Sequence, residues 1–213
     1  HHHLDQSLTR ARAQQGTLFE WLVELYPTWA RVDAEAEYAA ARTGLAELML
    51  GGCTTVFDHA YVFQNGCRVD DQIHAAAEIG VRFAVSRGSM SLGESKGGLP
   101  PDDCVEDEDA IMCDSLRVIQ QYHDPKPGSM LQIVLAPCSP FSVTADLMRE
   151  SAKLAREYEV KLHTHLCETL DEERYTLQRF GQIALPEGAV TDGEIRDAGA
   201  VSQAICKSLT LTS

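Results

Sequence analysis

The sequence TTVFDHAYVFQNGCRVDDQIHAAAEIGVRFAVSR, residues 54–87, has the pattern of a strand, a helix and a second strand. Its two ends, Thr54–Tyr61 and Val81–Arg87, are short apolar runs that contain Val and Phe, as buried strands do. The segment Val69–Ile79 between them has the apolar spacing of a helix, and Gly80 is placed to end that helix. This order predicts two parallel strands joined by a crossover helix.

The same pattern repeats on both sides of this unit. Apolar runs at Leu131–Pro137 and Val160–Leu166 predict two more strands. Helical patterns cover Asp33–Leu50, Asp109–Tyr122 and Thr144–Tyr158. The alternation predicts an α/β fold with a parallel sheet, and the absence of a GxGxxG loop disfavours a doubly wound dinucleotide-binding module.

One connection is longer than the others. The predicted strands begin at residues 54, 81, 131 and 160, so consecutive strands start 27, 50 and 29 residues apart. The excess lies in Gly88–Glu108, which is rich in Gly and follows a strand, so it belongs at the carboxyl end of the sheet, where α/β active sites are built. This segment is therefore either a substrate loop or lid, or a tolerated surface insertion.

Composition and charge exclude several functional classes. The 213 residues include 32 Asp and Glu against 18 Lys and Arg, and the formal charge of −14 disfavours binding to nucleic acid and to anionic membranes. No apolar run reaches the roughly 20 residues of a membrane span, and we find no secretory signal. Seven cysteines without a CxxC pair disfavour a disulfide framework and a thiolate zinc site, so we expect a cytoplasmic protein.

Histidines supply the first candidate site. His1, His2 and His3 are consecutive, and His163 and His165 lie in the fourth predicted strand. Residues two apart on a strand point the same way, so each cluster can offer two imidazoles to one zinc ion. Taken alone, the first three histidines are equally well explained as the remnant of a purification tag.

A carboxylate follows the second histidine pair. Glu168 stands three residues after His165. A carboxylate at that spacing can lean over a metal without binding it and move a proton between water and substrate, as in a hydrolase. The alternative for His165 and Glu168 is a structural pair at a strand end, and His163 is better explained as a supporting histidine than as a ligand.

Five segments, in chain order, give the sequence its resemblance to a known family. They are HHHLDQSLTRA from residue 1, LAELMLGGCTTVFDHAY from 45, RFAVSRGSMSLGESKGGLPPD from 82, VLAPCSPFSV from 134 and LHTHLCETLDEE from 162. Together they resemble the amidohydrolase superfamily, and within it the 8-oxoguanine deaminase and hydroxyatrazine hydrolase-like branch of the cytosine deaminase and chlorohydrolase-like group. The resemblance extends from residue 1 to about Gly181.

The resemblance implies a TIM-type (β/α) barrel that is incomplete here, with about the first five βα units in a domain of residues 1–181. The pattern of residues 182–213 differs, and the structure of this tail is left open. The sixth-strand histidine and the eighth-strand aspartate of the family are not found after Gly181, and the first strand that would precede His1 is missing. We therefore expect an internal fragment of a longer protein.

The resemblance also implies the residues of the site. His1, His3 and His165 match the family's zinc ligands, and Glu168 matches the glutamate that shuttles the proton. Gln6 matches a glutamine that faces the substrate ring, and an amide can both donate to and accept from the edge of a heterocycle. Zinc is the expected metal, with Fe2+ as an alternative.

Three further residues are candidates for substrate contact. Arg87 matches an arginine expected in the family's pocket, where a guanidinium can pair with a ring carbonyl. Trp29 follows Trp21 and Tyr26 in a helical pattern, where an aromatic side chain either stacks on a flat ring or packs in the core. His59 ends a predicted strand on the side of the site, and it either contacts substrate or shapes the pocket.

The predicted function is zinc-dependent hydrolytic deamination of an aminated purine-like ring of the 8-oxoguanine type. The chain is then an amidohydrolase whose partner is a small heterocyclic substrate, and a homo-oligomer is left open. The alternative within the same enzyme class is an s-triazine or other heterocycle hydrolase that displaces a chloride or an alkylamine. The alternative from a different class is a metal-binding fragment without turnover.

Overall fold

The computed structural model describes residues 1–181, which form alternating helices and strands. The helices are α1 (Leu18–Trp29), α2 (Ala34–Leu50), α3 (Val69–Ile79), α4 (Glu108–Tyr122), α5 (Ala145–Glu157) and α6 (Leu170–Phe180). The strands are β1 (Thr55–Asp58), β2 (Arg82–Ser89), β3 (Leu131–Pro137) and β4 (Lys161–Leu162). The predicted tail, residues 182–213, lies outside the described residues. Within the described range, no helix is long and apolar enough to cross a membrane.

The four strands form one parallel sheet in the order β1-β2-β3-β4. Each strand is joined to the next by a connection that contains a helix, so neighbours in sequence are also neighbours in space. A doubly wound sheet reverses its strand order at a switch point, whereas the wall of a (β/α) barrel keeps sequential order. The predicted parallel α/β fold is confirmed, and its topology is that of a barrel wall.

The core lies between one face of the sheet and the helices. Strand residues on this face pack against buried residues of α2, α3, α4 and α5. These strand residues are Val56, Phe83, Val85, Ile133 and Leu135. Because side chains alternate along a strand, the intervening positions face the other side of the sheet, which corresponds to the barrel interior.

Helix ends are fixed by the residues that the sequence pattern indicates. The Asp33 side chain accepts the N–H of Ala36 at 2.9 Å at the start of α2, and the Thr144 side chain accepts the N–H of Leu147 at 3.0 Å at the start of α5. Gly80 ends α3 with a φ of +79°, a left-handed conformation that glycine adopts without steric cost. These caps set where α2 and α5 begin and where α3 ends before β2.

The N-terminal histidines lie beside β1. His2 forms a parallel bridge with Asp58, and the carbonyl of His2 accepts the N–H of His59 at 2.8 Å. The buried carboxyl group of Asp58 accepts the N–H of Leu4 at 2.8 Å. Residues 1–3 therefore occupy the next strand position of the sheet, as expected for a motif at the end of a barrel strand.

The long connection between β2 and α4 is folded onto the rest of the chain. It contains two short 3-10 turns, Glu94–Lys96 and Asp102–Cys104. Met90 and Cys104 are buried in a second hydrophobic cluster with residues of α1, and the Cys104 thiol lies 3.6 Å from the carbonyl of Tyr26. The connection therefore packs against α1.

Candidate metal centre

Three histidine side chains meet at the carboxyl ends of the strands. The Nε2 atoms of His1 and His3 are 3.0 Å apart, those of His1 and His165 are 3.1 Å apart, and those of His3 and His165 are 3.2 Å apart. Nitrogen ligands at about 2.0–2.1 Å from a tetrahedral zinc ion lie about 3.3 Å from each other. The structure thus brings the three predicted ligands together at nearly the spacing that one metal ion requires.

Backbone carbonyls fix the orientation of two of these rings. The Nδ1 of His3 donates to the carbonyl of His59 at 2.7 Å, and the Nδ1 of His165 donates to the carbonyl of Cys138 at 2.8 Å. With the proton on Nδ1, each neutral ring turns an Nε2 lone pair toward the other. Two lone pairs at this distance repel unless a cation lies between them, and an Nδ1–H donor to a carbonyl is the usual support of a metal-binding histidine.

The environment keeps these rings neutral. Burial and the neighbouring His165 lower the pKa of His3 to about 4, although its bond to the His59 carbonyl acts in the opposite direction. Burial also lowers the pKa of His165. A neutral imidazole is the form that binds metal, so the donor set suits a borderline divalent ion such as zinc without prior loss of a proton.

His165 owes its position to an irregular pairing with β3. The N–H of His163 donates to the carbonyl of Leu135 at 2.9 Å, and the N–H of His165 donates to the carbonyl of Cys138 at 2.9 Å. His163 and His165 are two residues apart, whereas their partners Leu135 and Cys138 are three apart. The mismatch resembles a β-bulge, and regular pairing ends at Leu162. For this reason β4 is shorter than the predicted strand Val160–Leu166.

Two further histidines surround the three ligand candidates. His59 is fully buried, and its Nδ1 lies 2.9 Å from the Nδ1 of His163, so the two rings share one proton. Burial lowers the pKa of both rings, that of His163 to about 4. His1, His59 and His163 are also close enough to form a group around an ion. The bond to His59 is consistent with a supporting role for His163.

A cleft opens beside the three ligand candidates. The space among its lining residues is about 340 Å³, a volume that includes open solvent at the mouth of the cleft. His3, Gln6, His165 and Glu168 contribute polar groups to its lining. The remaining lining residues are Leu18, Trp21, Leu22, Tyr26, Tyr61, Cys138, Ser139 and Phe141. Apolar and aromatic walls with a few polar groups at one end suit a small flat molecule.

Glu168 lines this cleft, three residues beyond His165. Loss of hydration at the cleft wall raises the pKa of its carboxyl group, and the neighbouring charge of Glu172 raises it further. A carboxyl with a raised pKa exchanges a proton more readily near neutral pH than an ordinary glutamate does. Glu168 is outside the groups of side chains close enough to share an ion, so the structure separates it from the ligand candidates.

Gln6 faces Tyr61, a residue that the sequence analysis did not single out. The Nε2 of Gln6 donates to the Tyr61 hydroxyl at 3.2 Å, which leaves the amide oxygen of Gln6 for other partners. The Tyr61 ring lies 5.2 Å from the His3 ring, edge to face. Tyr61 lies two residues after His59, so strand alternation alone would have placed both side chains on the site's side of the sheet.

The structure gives the two tryptophans of α1 different places: one packs in the core and the other lines the cleft. Trp29 is fully buried in the second cluster, and its Nε1 donates to the Thr9 hydroxyl at 3.1 Å. Trp21 packs edge-to-face against Trp29 at 5.1 Å and lines the cleft. The structure therefore puts Trp29 in the core and Trp21 at the position from which a ring could be stacked.

Arg87 lies apart from the cleft. Its guanidinium bonds to the Asp114 carboxylate at 2.6 Å and to the Glu106 carboxylate at 2.8 Å, and it lies over the Phe63 ring at 4.5 Å. It is only 3% exposed. Arg87 has the same strand parity as Val85, so it faces the helices, and the structure does not bring it to Gln6 and Glu168.

The role of Arg87 can be tested by R87M, which keeps the length of the side chain and removes its charge. We expect the free energy of unfolding to fall by about 3 kcal/mol, because the partly buried Glu106 carboxylate loses its cationic partner and Asp114 keeps only Arg117. Urea unfolding measures this change. R10M is the control, since Arg10 pairs with Glu47 at the surface and its loss should cost less than about 1 kcal/mol. Unchanged stability with a raised KM would return Arg87 to the substrate site.

Comparisons with known proteins find similar sequences and folds. The amidohydrolase family profile matches residues 1–198. The 8-oxoguanine deaminase of Pseudomonas aeruginosa is 52% identical over 185 residues, which are 85% of this chain and 41% of that enzyme. Hydroxydechloroatrazine ethylaminohydrolase of Pseudomonas sp. strain ADP is 38% identical over 192 residues, 87% of this chain and 40% of that enzyme. The chain spans about two fifths of the length of these relatives.

Solved structures share the fold. Atrazine chlorohydrolase TrzN from Arthrobacter aurescens, crystallised with zinc, superposes with a TM-score of 0.80 and 33% identity, over 86% of this chain and 43% of that one. The predicted incomplete barrel is confirmed, since the described sheet matches part of a longer amidohydrolase barrel. The family match, which covers more than half of the chain, carries the conclusion: this chain belongs to the amidohydrolase family.

Proposed function

We propose that the chain forms part of a zinc-dependent hydrolase that deaminates an aminated purine-like heterocycle of the 8-oxoguanine type. The observation that carries the proposal is the convergence of three histidine Nε2 atoms beside a cleft lined by Glu168. Backbone carbonyls keep the proton of His3 and of His165 on Nδ1, so their Nε2 atoms are free to bind a metal. The 52% identity to an 8-oxoguanine deaminase supports the substrate class. Iron is the alternative metal, because imidazole ligands suit both ions.

In this proposal His1, His3 and His165 hold the metal, and Glu168 moves protons. When bound, zinc supplies the acidity that makes water a nucleophile near neutral pH. Glu168 takes a proton from the attacking water and gives it to a ring nitrogen, and then takes the remaining proton of the added hydroxyl group and passes it to the departing amine. The carbon–nitrogen bond breaks, ammonia leaves and a ring carbonyl remains.

Gln6, Tyr61 and Trp21 are the proposed substrate contacts. The Gln6 amide is oriented by its bond to Tyr61, so its oxygen can accept an N–H of the heterocycle. The indole of Trp21 offers an aromatic face to a flat ring. In this assignment Arg87 and Trp29 stabilise the surrounding fold, and His59 shapes the site by holding His3 through its carbonyl.

An s-triazine hydrolase is the second candidate. The 38% identity to hydroxydechloroatrazine ethylaminohydrolase and the overlap with a triazine-hydrolysing structure favour it. The same water-activating site would then displace a chloride or an alkylamine, and the ring contacts would differ. A metal-binding chain without turnover is the remaining alternative.

The experiment that tests the proposal pairs metal analysis with turnover. We expect about one zinc per chain by elemental analysis, and ammonia release from 8-oxoguanine faster than from guanine or hydroxy-triazines. Preferred turnover of a hydroxy-triazine would favour the second candidate. Zinc without turnover on any of these compounds would reject the enzymatic assignment for this chain, and the absence of both zinc and iron would reject the metal site.

A further inference from the structure

The turn between β4 and α6 carries Glu168 in a strained backbone. Its first half is anchored to β3, because the N–H and the Nδ1 of His165 both donate to the carbonyl of Cys138, at 2.9 and 2.8 Å. Cys167 follows with a φ of +58°, in the left-handed region that side chains with a Cβ rarely adopt. A turn of this kind persists only where its surroundings hold it.

The side chain of Glu172 holds the second half of the turn. One carboxylate oxygen accepts the N–H of Cys167 at 2.9 Å, and the other accepts the N–H of Glu168 at 2.9 Å. Glu172 is 1% exposed and lies in the first turn of α6, whose N-terminal N–H groups favour a negative charge. Within residues 1–181, no Lys or Arg forms an ion pair with it, so backbone N–H groups alone compensate this carboxylate.

A carboxylate that binds two successive N–H groups fixes the peptide between them. That peptide joins Cys167 to Glu168, so Glu172 sets the direction in which the Glu168 side chain leaves the backbone. Because His165 is tied to β3 and Glu168 is tied to α6, the separation between ligand and proton carrier is fixed by these two attachments. The rate of the reaction is sensitive to this separation, since a displacement of a catalytic group by 1 Å can reduce a rate by about 100-fold.

We propose that Glu172 is a positioning residue, which holds Glu168 at its working distance from the three-histidine site. The proposal rests on the proposed role of Glu168 as proton carrier. It extends the site to a residue that contacts neither metal nor cleft and acts through the backbone of the turn.

The first test measures the turn itself and needs neither metal nor turnover. In E172Q one amide hydrogen faces a backbone N–H, so one of the two bonds is lost; E172D keeps the charge but is too short to reach both groups. We expect amide hydrogen exchange at Cys167 and Glu168 to be at least about 10-fold faster in both variants. E173Q, the same change one residue further along α6, should leave exchange unchanged. Equal exchange in E172Q, E172D and the unsubstituted protein would overturn the proposal.

The second test measures whether Glu172 acts through Glu168. We expect E172Q and E172D to lower kcat by about 10-fold to 100-fold with KM within about twofold and zinc content unchanged. In an E168Q background the same substitutions should change kcat less than about twofold, because the residue they position no longer moves a proton. An equal loss in both backgrounds, or no loss in either variant, would overturn the positioning role. Unchanged turnover in E168Q alone would instead reject the proposed function, and the positioning role with it.

Discussion

We expect H165A to lose its zinc, with metal content falling from about one ion per chain to less than about a tenth. Two of the three candidate ligands come from the N-terminus, and His165 is the third, just beyond the end of β4. Its Nε2 lies 3.1 Å from that of His1 and 3.2 Å from that of His3. Removal of this nitrogen leaves two histidines, fewer than the three protein ligands of a catalytic zinc site, and we expect affinity to fall by more than about 100-fold. Elemental analysis after dialysis measures the loss, and turnover should vanish with the metal.

Two matched variants make this result specific. H74A removes an exposed histidine of α3 and should keep its zinc. H163A removes the histidine that bonds to His59 and should also keep most of its zinc, because that ring is outside the group of His1, His3 and His165. Zinc retained in H165A but lost in H163A would move the ion to the alternative group of His1, His59 and His163.

The fold was predictable because its signals are local. The helix Val69–Ile79 and the strand Leu131–Pro137 have the same bounds in sequence and structure, since a capping glycine marks the end of the helix and an apolar run interrupted only at Gln132 marks the strand. The ends of β1 and β4 were less predictable. There the apolar pattern continues to Tyr61 and Leu166, whereas the backbone leaves regular pairing to present the site histidines.

The proposed ligand set was predictable only through the resemblance. Taken alone, His1 and His3 are equally well explained as the remnant of a purification tag. No rule of sequence spacing links them to His165, which is more than 160 residues away. The structure joins them because both segments lie at the carboxyl edge of one sheet, and the Nε2 atoms of His3 and His165 end 3.2 Å apart. A contact of this kind depends on the whole sheet, so a local pattern cannot establish it.

The proposed substrate contacts were the least predictable part of the site. Strand parity with Phe83 and Val85 indicates that Arg87 faces the helices, yet the resemblance pointed to the pocket, and the structure pairs the guanidinium with Glu106 and Asp114. Trp21 and Trp29 lie in the same helix, so sequence alone could not say which of them packs in the core. That choice depends on where α1 crosses the cleft.

Substitution of Glu168 by glutamine should stop the chemistry and leave the metal in place. Glutamine has the same size and still forms hydrogen bonds, but it cannot take up a proton, so we expect kcat to fall by about 100-fold to 10,000-fold. Zinc content should stay at about one per chain, because Glu168 is outside the groups of side chains close enough to share an ion. E173Q, an equal loss of charge in the next helix, should keep both zinc and turnover.

The pH profile separates a proton carrier from a residue that merely shapes the cleft. Burial and Glu172 raise the pKa of Glu168, and only its ionised form can accept a proton from water. The rate should therefore fall as pH drops through this raised pKa, and the acidic limb of kcat/KM should lie at higher pH than for an ordinary glutamate. In E168Q that limb should disappear, because glutamine does not titrate. An E168Q enzyme with a reduced rate but the same acidic limb would assign the limb to another group and exclude Glu168 as the base.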